Sequence, residues 1–238
     1  VFAHCASPAM LAGLAIWLAQ QPPKDRPNFV IRFDRPASRA RACLVSYKQC
    51  FELINTLGLR EFFSFTVESK GLQRYFTQCS GEEFPIRFNS VFIDKNRSIE
   101  ILGLAKGERA LTTVSYVGEA REEKGFQHLP FILEHIWNKK PVRFRIQVGA
   151  NNWNQTPSIE LARQRLEQLA IKHPDLLELL DGKISDDDYI SLIRDTDIIL
   201  MPYDPRAYNI RGSGVASEAS AIGKVIVVSH GCDITSTY

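Results

Sequence analysis

The sequence predicts an α/β protein whose parallel sheets are covered by helices on both faces and arranged in two lobes. Two observations carry this. Apolar residues alternate between helical and strand spacing along nearly the whole chain, and strand–helix alternation at this spacing requires parallel crossovers. Two such series flank a less regular stretch, 85–109, with charges and the glycines Gly103 and Gly107, which reads as the crossing between lobes.

In order, Val1-Phe2-Ala3 reads as a short strand ending at His4, before a helix carrying Met10, Leu11, Leu14, Ala15 and Leu18 at helical spacing. Asn28 to Phe33 is a strand. Cys43, Tyr47, Cys50, Phe51, Ile54 and Leu57 make one helical face, stopped by Gly58. Phe62 to Val67 is a strand and Leu72 to Cys79 a short helix. Beyond the crossing, Thr112 to Val117 is a strand, and Phe126, Leu129, Ile132, Leu133 and Ile136 form a helical stripe. Val142, Phe144, Ile146 and Val148 alternate with polar residues, as in a strand exposed on one face. Thr156 caps a helix with Pro157 at its first position, burying Ile159, Ala162, Leu166 and Leu169. Ser185 starts another, burying Tyr189, Leu192 and Ile193. Ile198 to Met201 is a continuous apolar run, expected of an interior parallel strand. Val215 to Ile222 is a helix of small residues, and Lys224 to Val228 the last strand.

Composition narrows the function classes. The 238 residues include 29 Lys and Arg against 27 Asp and Glu, a net charge of +2. That balance predicts no nucleic-acid partner. The five cysteines are odd in number and contain no CxxC pair, which argues against a disulfide framework or Cys-rich zinc site and for a reducing, cytoplasmic setting. The longest apolar stretch, Ala6 to Ala19, is too short for a membrane span and lacks a preceding basic segment. The chain begins at Val1 and ends on Thr235-Ser236-Thr237-Tyr238 without a helix stop, so it reads as a piece of a longer protein.

In parallel sheets, ligands bind beyond the carboxyl ends of the strands. Two segments there can carry chemistry. In the first, residues 116–125 (YVGEAREEKG), Gly118 and Gly125 let the backbone turn and a ligand approach, and Arg121 and Lys124 can grip an anion. Equally, these cations can pair with Glu119, Glu122 and Glu123. In the second, a Gly212-Ser213-Gly214 turn opens a helix, whose free N–H groups suit a phosphate. Glu218 lies one turn on, about 6 Å along the axis, where it can accept the hydroxyls of an attached ribose. The surrounding Ala216, Ala219 and Ala221 imply close packing.

The acidic triplet Asp186-Asp187-Asp188 is read as the first turn of a helix capped by Ser185 rather than as a metal site. No histidine pairs with another His or Cys at zinc spacing. His4 ends a strand, where a cleft residue would stand, although a packed histidine is the favoured reading. Rossmann dinucleotide, Walker and Gly-x-Ser-x-Gly motifs are lacking.

In their order, YVGEAREEKGF, LDGKISDDDYISLIRDTDIILMPY and SGVASEASAIGKVIVVS resemble the group 4 family of retaining glycosyltransferases with the GT-B fold, over nearly all of 112–229. The resemblance implies two Rossmann-like lobes: 1–95 as the later half of an incomplete, acceptor-side lobe, and 96–238 as the nucleotide-sugar lobe. It implies transfer of a sugar from a nucleoside diphosphate sugar, a UDP or GDP sugar for instance, to a glycan, lipid or protein acceptor, with retention and without a metal or other cofactor. A lipid acceptor would make the protein peripheral to a membrane. Lys124 matches the family's lysine that stabilises the departing diphosphate, with Arg121 as its partner. Glu218 matches the ribose-binding glutamate. Ser213 and Gly214 would meet phosphate oxygens, and Gly118, Gly125 and Gly182 would shape the donor site. The sequence departs from the family at Glu119, where an Arg is usual, and at Ile210, where a Glu contacts the donor sugar. Arg121, Tyr208 and Arg211 are the candidate substitutes. These departures favour a second reading, a binding or scaffold module that kept the fold and lost the chemistry. A sugar-nucleotide epimerase on the same fold is a third.

Overall fold

The computed structural model describes residues 1–4, 6–36, 45–87, 111–149, 155–182 and 184–234, with His4 and Asp186 described by their backbone alone. From residue 88 on, the expected crossing lies outside these, as does Cys43. The chain divides into two units, Val1–Asn89 joined by Asn209–Gly212, and Ser90–Tyr208 with Ser213–Ser236.

The first unit holds strands β1 (Phe2–His4), β2 (Phe29–Phe33) and β3 (Phe63–Val67), parallel in the order β1-β2-β3. Helices α1 (Pro8–Ala19), α2 (Tyr47–Thr56) and α3 (Lys70–Ser80) connect and extend them. Each helix begins on a serine whose side chain accepts from the first turn: Ser7, Ser46 and Ser69. At Ser46, Gln49 reaches back to complete a capping box. The core is aromatic. Phe33 stacks on Phe76 with ring centroids 4.1 Å apart, and Phe29, Phe63, Phe65 and Phe84 pack beside them. Phe29, Phe33, Phe63 and Phe65 come from the period-2 positions of β2 and β3, whose burial alternates, and Phe76 comes from α3.

The second unit has β4 (Thr113–Tyr116), β5 (Arg143–Gln147), β6 (Leu177–Leu180), β7 (Ile198–Met201) and β8 (Val225–Val228), all parallel, in the order β6-β5-β4-β7-β8. Its helices are α4 (Leu129–Trp137), α5 (Pro157–Lys172), α6 (Asp186–Arg194), the short α7 (Pro205–Tyr208) and α8 (Gly214–Ala221). The chain winds outward from β4 through β5 to β6, then returns to the other side of β4 for β7 and β8. The loops after β4 and β7 therefore leave neighbouring strands in opposite directions, which makes their junction the topological switch point.

Several elements differ from expectation, among them the short α7, which the sequence reading lacks. The stripe from Phe126 opens as 3₁₀ turns, Glu122–Lys124 and Phe126–His128, and becomes α-helical only at Leu129. Gly125, at φ +73°, interrupts it. Strand β6 was not anticipated. Its sequence, Leu-Glu-Leu-Leu, lacks β-branched residues, and pairing with β5 decides its conformation. Glu178 there takes both Arg143 and Arg145 of β5.

Candidate functional site

The loop after β4 is pinned in place by four hydrogen bonds. The Gly118 N–H donates to Gln147 Oε1 (2.7 Å), the Ala120 N–H to the Gly149 carbonyl (3.0 Å), the Asp204 N–H to the Glu123 carbonyl (3.0 Å), and the Tyr116 hydroxyl to the Glu119 carbonyl (3.2 Å). Ends of β4, β5 and β7 are thus tied together.

Gly118 and Gly125 are required for different reasons. Gly118 lies at φ +111°, and a Cβ there would sit 2.5 Å from Lys124 Nζ. The ammonium therefore occupies the room a side chain would take, directly over the backbone at the end of β4. Gly125 is buried, and a Cβ on it would overlap the Pro202 carbonyl oxygen after β7. This close approach joins the two loops at the switch point.

The three acids of the loop divide their partners. Arg121 Nε donates to Glu119 Oε2 (2.6 Å) and Nη1 to Glu123 Oε1 (3.3 Å). Burial lowers the affinity of Arg121 for its proton, but Glu119 and Glu123 outweigh it and the net shift is upward. The guanidinium is fully charged and held by two carboxylates of its own loop. Glu122 instead turns to the start of α5, accepting from Ser158 Oγ and from Thr156 Oγ1 (2.9 Å). The Ser158 hydrogen bond, with Thr156 second, holds its carboxyl below the usual range. Which acid takes the arginine is a matter of loop geometry, and the sequence held no signal for it.

Beyond β7, Tyr203 and Tyr208 pack against one another with ring centroids 4.4 Å apart. Both are buried, as is Tyr116. Burial, with the neighbouring tyrosines second, drives the Tyr116 and Tyr203 hydroxyls to resist ionisation. Ser213 caps α8, accepting from the Ala216 N–H at 3.4 Å, and Gly214 is exposed at the helix start. One turn on, Glu218 accepts a hydrogen bond at Oε2 from the Tyr189 hydroxyl of α6. Burial raises the Glu218 pKa, and the Tyr189 hydrogen bond partly offsets that. Tyr189 was expected as a core residue only, and its hydroxyl's role is what the apolar pattern could not display. At the end of β6, Gly182 has φ +75°, and a Cβ on Gly149 would come within 2.6 Å of its carbonyl.

Of the expected site residues, the second unit thus brings Gly118, Arg121, Lys124 and Gly125 onto one fixed loop. Tyr208 stands near Arg121, close enough to act on its charge. Gly214 and Glu218 share α8, which Ser213 caps. A cavity of about 380 Å³ lies beside the loop, lined by Gly125, Gln127, His128, Pro202, Tyr203 and Ser229 among others, and neither Lys124 nor Glu218 lines it. Its charged lining residues are Glu122, Asp204 and Arg206. Among the described residues, no three His, Cys, Asp or Glu side chains gather as metal ligands, and no helix is long and apolar enough to cross a membrane.

In the first unit, His4 ends β1 in register with Arg32 of β2, at the carboxyl end of the sheet. Arg32 forms an ion pair with Glu68, both side chains about a tenth exposed. A Cβ on Gly212 would lie 3.4 Å from Glu68 Oε2, and Ser69 Oγ donates to the Ile210 carbonyl at 3.4 Å. Arg211 sits within this 209–212 segment, partly buried. The Arg32–Glu68 pair was not foreseen, because the two residues lie 36 positions apart and no local pattern links them.

Neither the family models nor the curated proteins compared with this sequence give a match. Solved structures do. A UDP-forming α,α-trehalose-phosphate synthase from Burkholderia xenovorans aligns over 99% of this chain and 60% of its own, with a TM-score of 0.62 and 12% identity. The N-terminal domain of a trehalose-6-phosphate phosphatase from Candida albicans aligns over 99% and 56%, with a TM-score of 0.61 and 9% identity. An E. coli protein described as trehalose-6-phosphate bound with UDP-2-fluoro glucose aligns over 99% and 59%, at 0.60 and 14%. The chain spans about three fifths of the length of these proteins. With its two parallel sheets and this likeness, the chain has the α/β, two-lobed Rossmann-like architecture of the GT-B fold, in part.

Proposed function

We propose that the second unit binds a nucleoside diphosphate sugar and that the protein is a retaining glycosyltransferase of the GT-B kind, passing the sugar to an acceptor. The observation that carries this is Lys124. Its ammonium lies over Gly118 at the switch point of a doubly wound sheet, on a loop locked to β5 and β7. A fixed cation there meets the charge that develops on a departing diphosphate, and preorganised charge usually lowers such barriers more than any other single effect. The amides at the start of α8 would take phosphate oxygens, and Glu218 the ribose. Two of the structural neighbours are described with UDP in their names, which supports the donor class. In this reading no metal takes part, so donor binding should survive EDTA.

The test is calorimetric titration of the protein with UDP, GDP and ADP. One of them should bind, and Lys124→Ala should weaken it at least tenfold, about 1.4 kcal/mol. Equal affinity in the variant would remove Lys124 from the site.

A second reading has an observation of its own. Arg121, the candidate for the family's missing arginine, is engaged by Glu119 and Glu123. A nucleotide-binding module without turnover fits that arrangement, and one neighbour is a domain of a protein named as a phosphatase. Donor turnover by the full-length protein separates the two: hydrolysis or transfer lost in Glu218→Gln excludes the silent module.

A further inference from the structure

We propose that Tyr189 is a positioning residue for the nucleotide: its hydroxyl holds the Glu218 carboxylate ready for the two hydroxyls of a ribose, so the site selects ribonucleotides over 2′-deoxyribonucleotides. This rests on the nucleotide reading of the second unit.

Tyr189 lies on α6 and Glu218 on α8, 29 residues apart, and the tyrosine hydroxyl donates to Oε2. Glu218 Oε1 accepts no hydrogen bond among the described residues. A carboxylate with one oxygen tethered and the other open is oriented but not saturated. Its remaining lone pairs can accept from neighbouring hydroxyls. Glu218 also lies one helical turn, about 6 Å along the axis, beyond the exposed Gly214 at the start of α8. An anion at the helix start and a vicinal diol at Glu218 are spaced as phosphate and ribose are in a nucleotide.

A partly buried carboxylate without a donor either takes up a proton or turns toward solvent. Tyr189 opposes both. It keeps its proton to donate, because burial and the adjacent carboxylate oppose ionisation of its hydroxyl. Among the described residues, Tyr189 is the ionisable side chain that acts on Glu218. Tyr203 and Glu218 are the groups that act on Tyr189. Loss of one ribose hydroxyl would leave a desolvated acceptor without its partner, the situation that gives polar sites their largest discrimination.

The experiment titrates the protein with UDP, GDP, ADP and the 2′-deoxy counterpart of whichever binds, across pH 5 to 8, in the parent, Tyr189→Phe and Glu218→Gln. The parent is expected to prefer the ribonucleotide by about tenfold or more. Tyr189→Phe should bind it about tenfold more weakly, lose most of the preference, and show its binding midpoint moved to higher pH, because the hydrogen bond that favours the carboxylate is gone. Glu218→Gln should lose the preference with Tyr189 intact, which covers the case in which Tyr189→Phe fails to fold. If the parent binds but Tyr189→Phe keeps its preference and pH profile, Tyr189 only pins two helices together and the assignment falls, while the function reading stands. If the parent binds none of the nucleotides, both fall.

Discussion

Burial works against the charged form of Glu218. Burial raises its pKa from the ordinary 4.5, so the folded protein prefers the protonated form more than the unfolded chain does. The stability this group contributes is full below the ordinary carboxylate range and is lost as pH rises through the raised folded value. Replacing it with glutamine removes the ionisation. Glu218→Gln should therefore gain in melting temperature over the parent as pH rises from about 4 to about 7. A difference that stays flat across that range would show that Glu218 carries no such strain. Such a gain beside lost nucleotide binding is the usual mark of a functional acid. Gly125 makes the opposite case, where structure alone decides. Alanine there meets both the left-handed backbone and the Pro202 carbonyl. Gly125→Ala should destabilise by about 3 kcal/mol or more, read as a lower urea midpoint. An unchanged midpoint would mean that the two loops are not joined as described.

Among the elements, helix starts were the most legible from sequence. Thr156-Pro157 and Ser185 cap α5 and α6 as their residue types demand, and Ile159, Ala162, Leu166 and Leu169 of α5 are all buried. Interior strand β7 was equally plain, since a run of four apolar residues suits burial on both faces. Strand β6 escaped because its cause is tertiary: Glu178 answers two arginines on the neighbouring strand. The position of the site was legible too, as a rule about strand ends, but not the partners within it. Glu119, Glu122 and Glu123 are equivalent on paper, and only the fold of the loop gives the first and third to Arg121. Lys224 shows another such contact. It read simply as the start of the last strand, yet its ammonium donates to the carbonyls of Arg194 (2.6 Å) and Thr196 (2.8 Å), closing the end of α6. Lys224→Met keeps the stem and removes those bonds, and should cost about 1–2 kcal/mol. Chemical denaturation measures it, and a loss under about 0.3 kcal/mol would make the contact incidental.

At the scale of the molecule, the two units have separate kinds of core. The first is built on phenylalanines around Phe33, which touches Tyr47, Phe51, Phe65, Phe76 and Phe84. The second is mostly aliphatic, gathered between β4, β5 and the helices α4 and α5, with a further cluster around Met201, Tyr203 and Ala216. The alternation of strands and helices predicted two parallel sheets. The winding order that places β7 beside β4, and so creates the switch point, depends on pairing across roughly 80 residues and is invisible to local pattern. Because each unit buries its own apolar surface, each can carry its own free energy of folding. Phe33→Ala removes a fully buried ring and should destabilise the first unit by about 3–5 kcal/mol. Hydrogen exchange followed by mass spectrometry resolves the consequence by segment. Peptides covering β2 and β3 should exchange much faster in the variant, while those covering β4, β5 and β7 keep the parental rate. Equal acceleration in both sets would mean that the chain opens as one cooperative body. In that case nucleotide bound to the second unit would also protect β2 and β3, which the same exchange experiment, repeated with a saturating nucleoside diphosphate, would register.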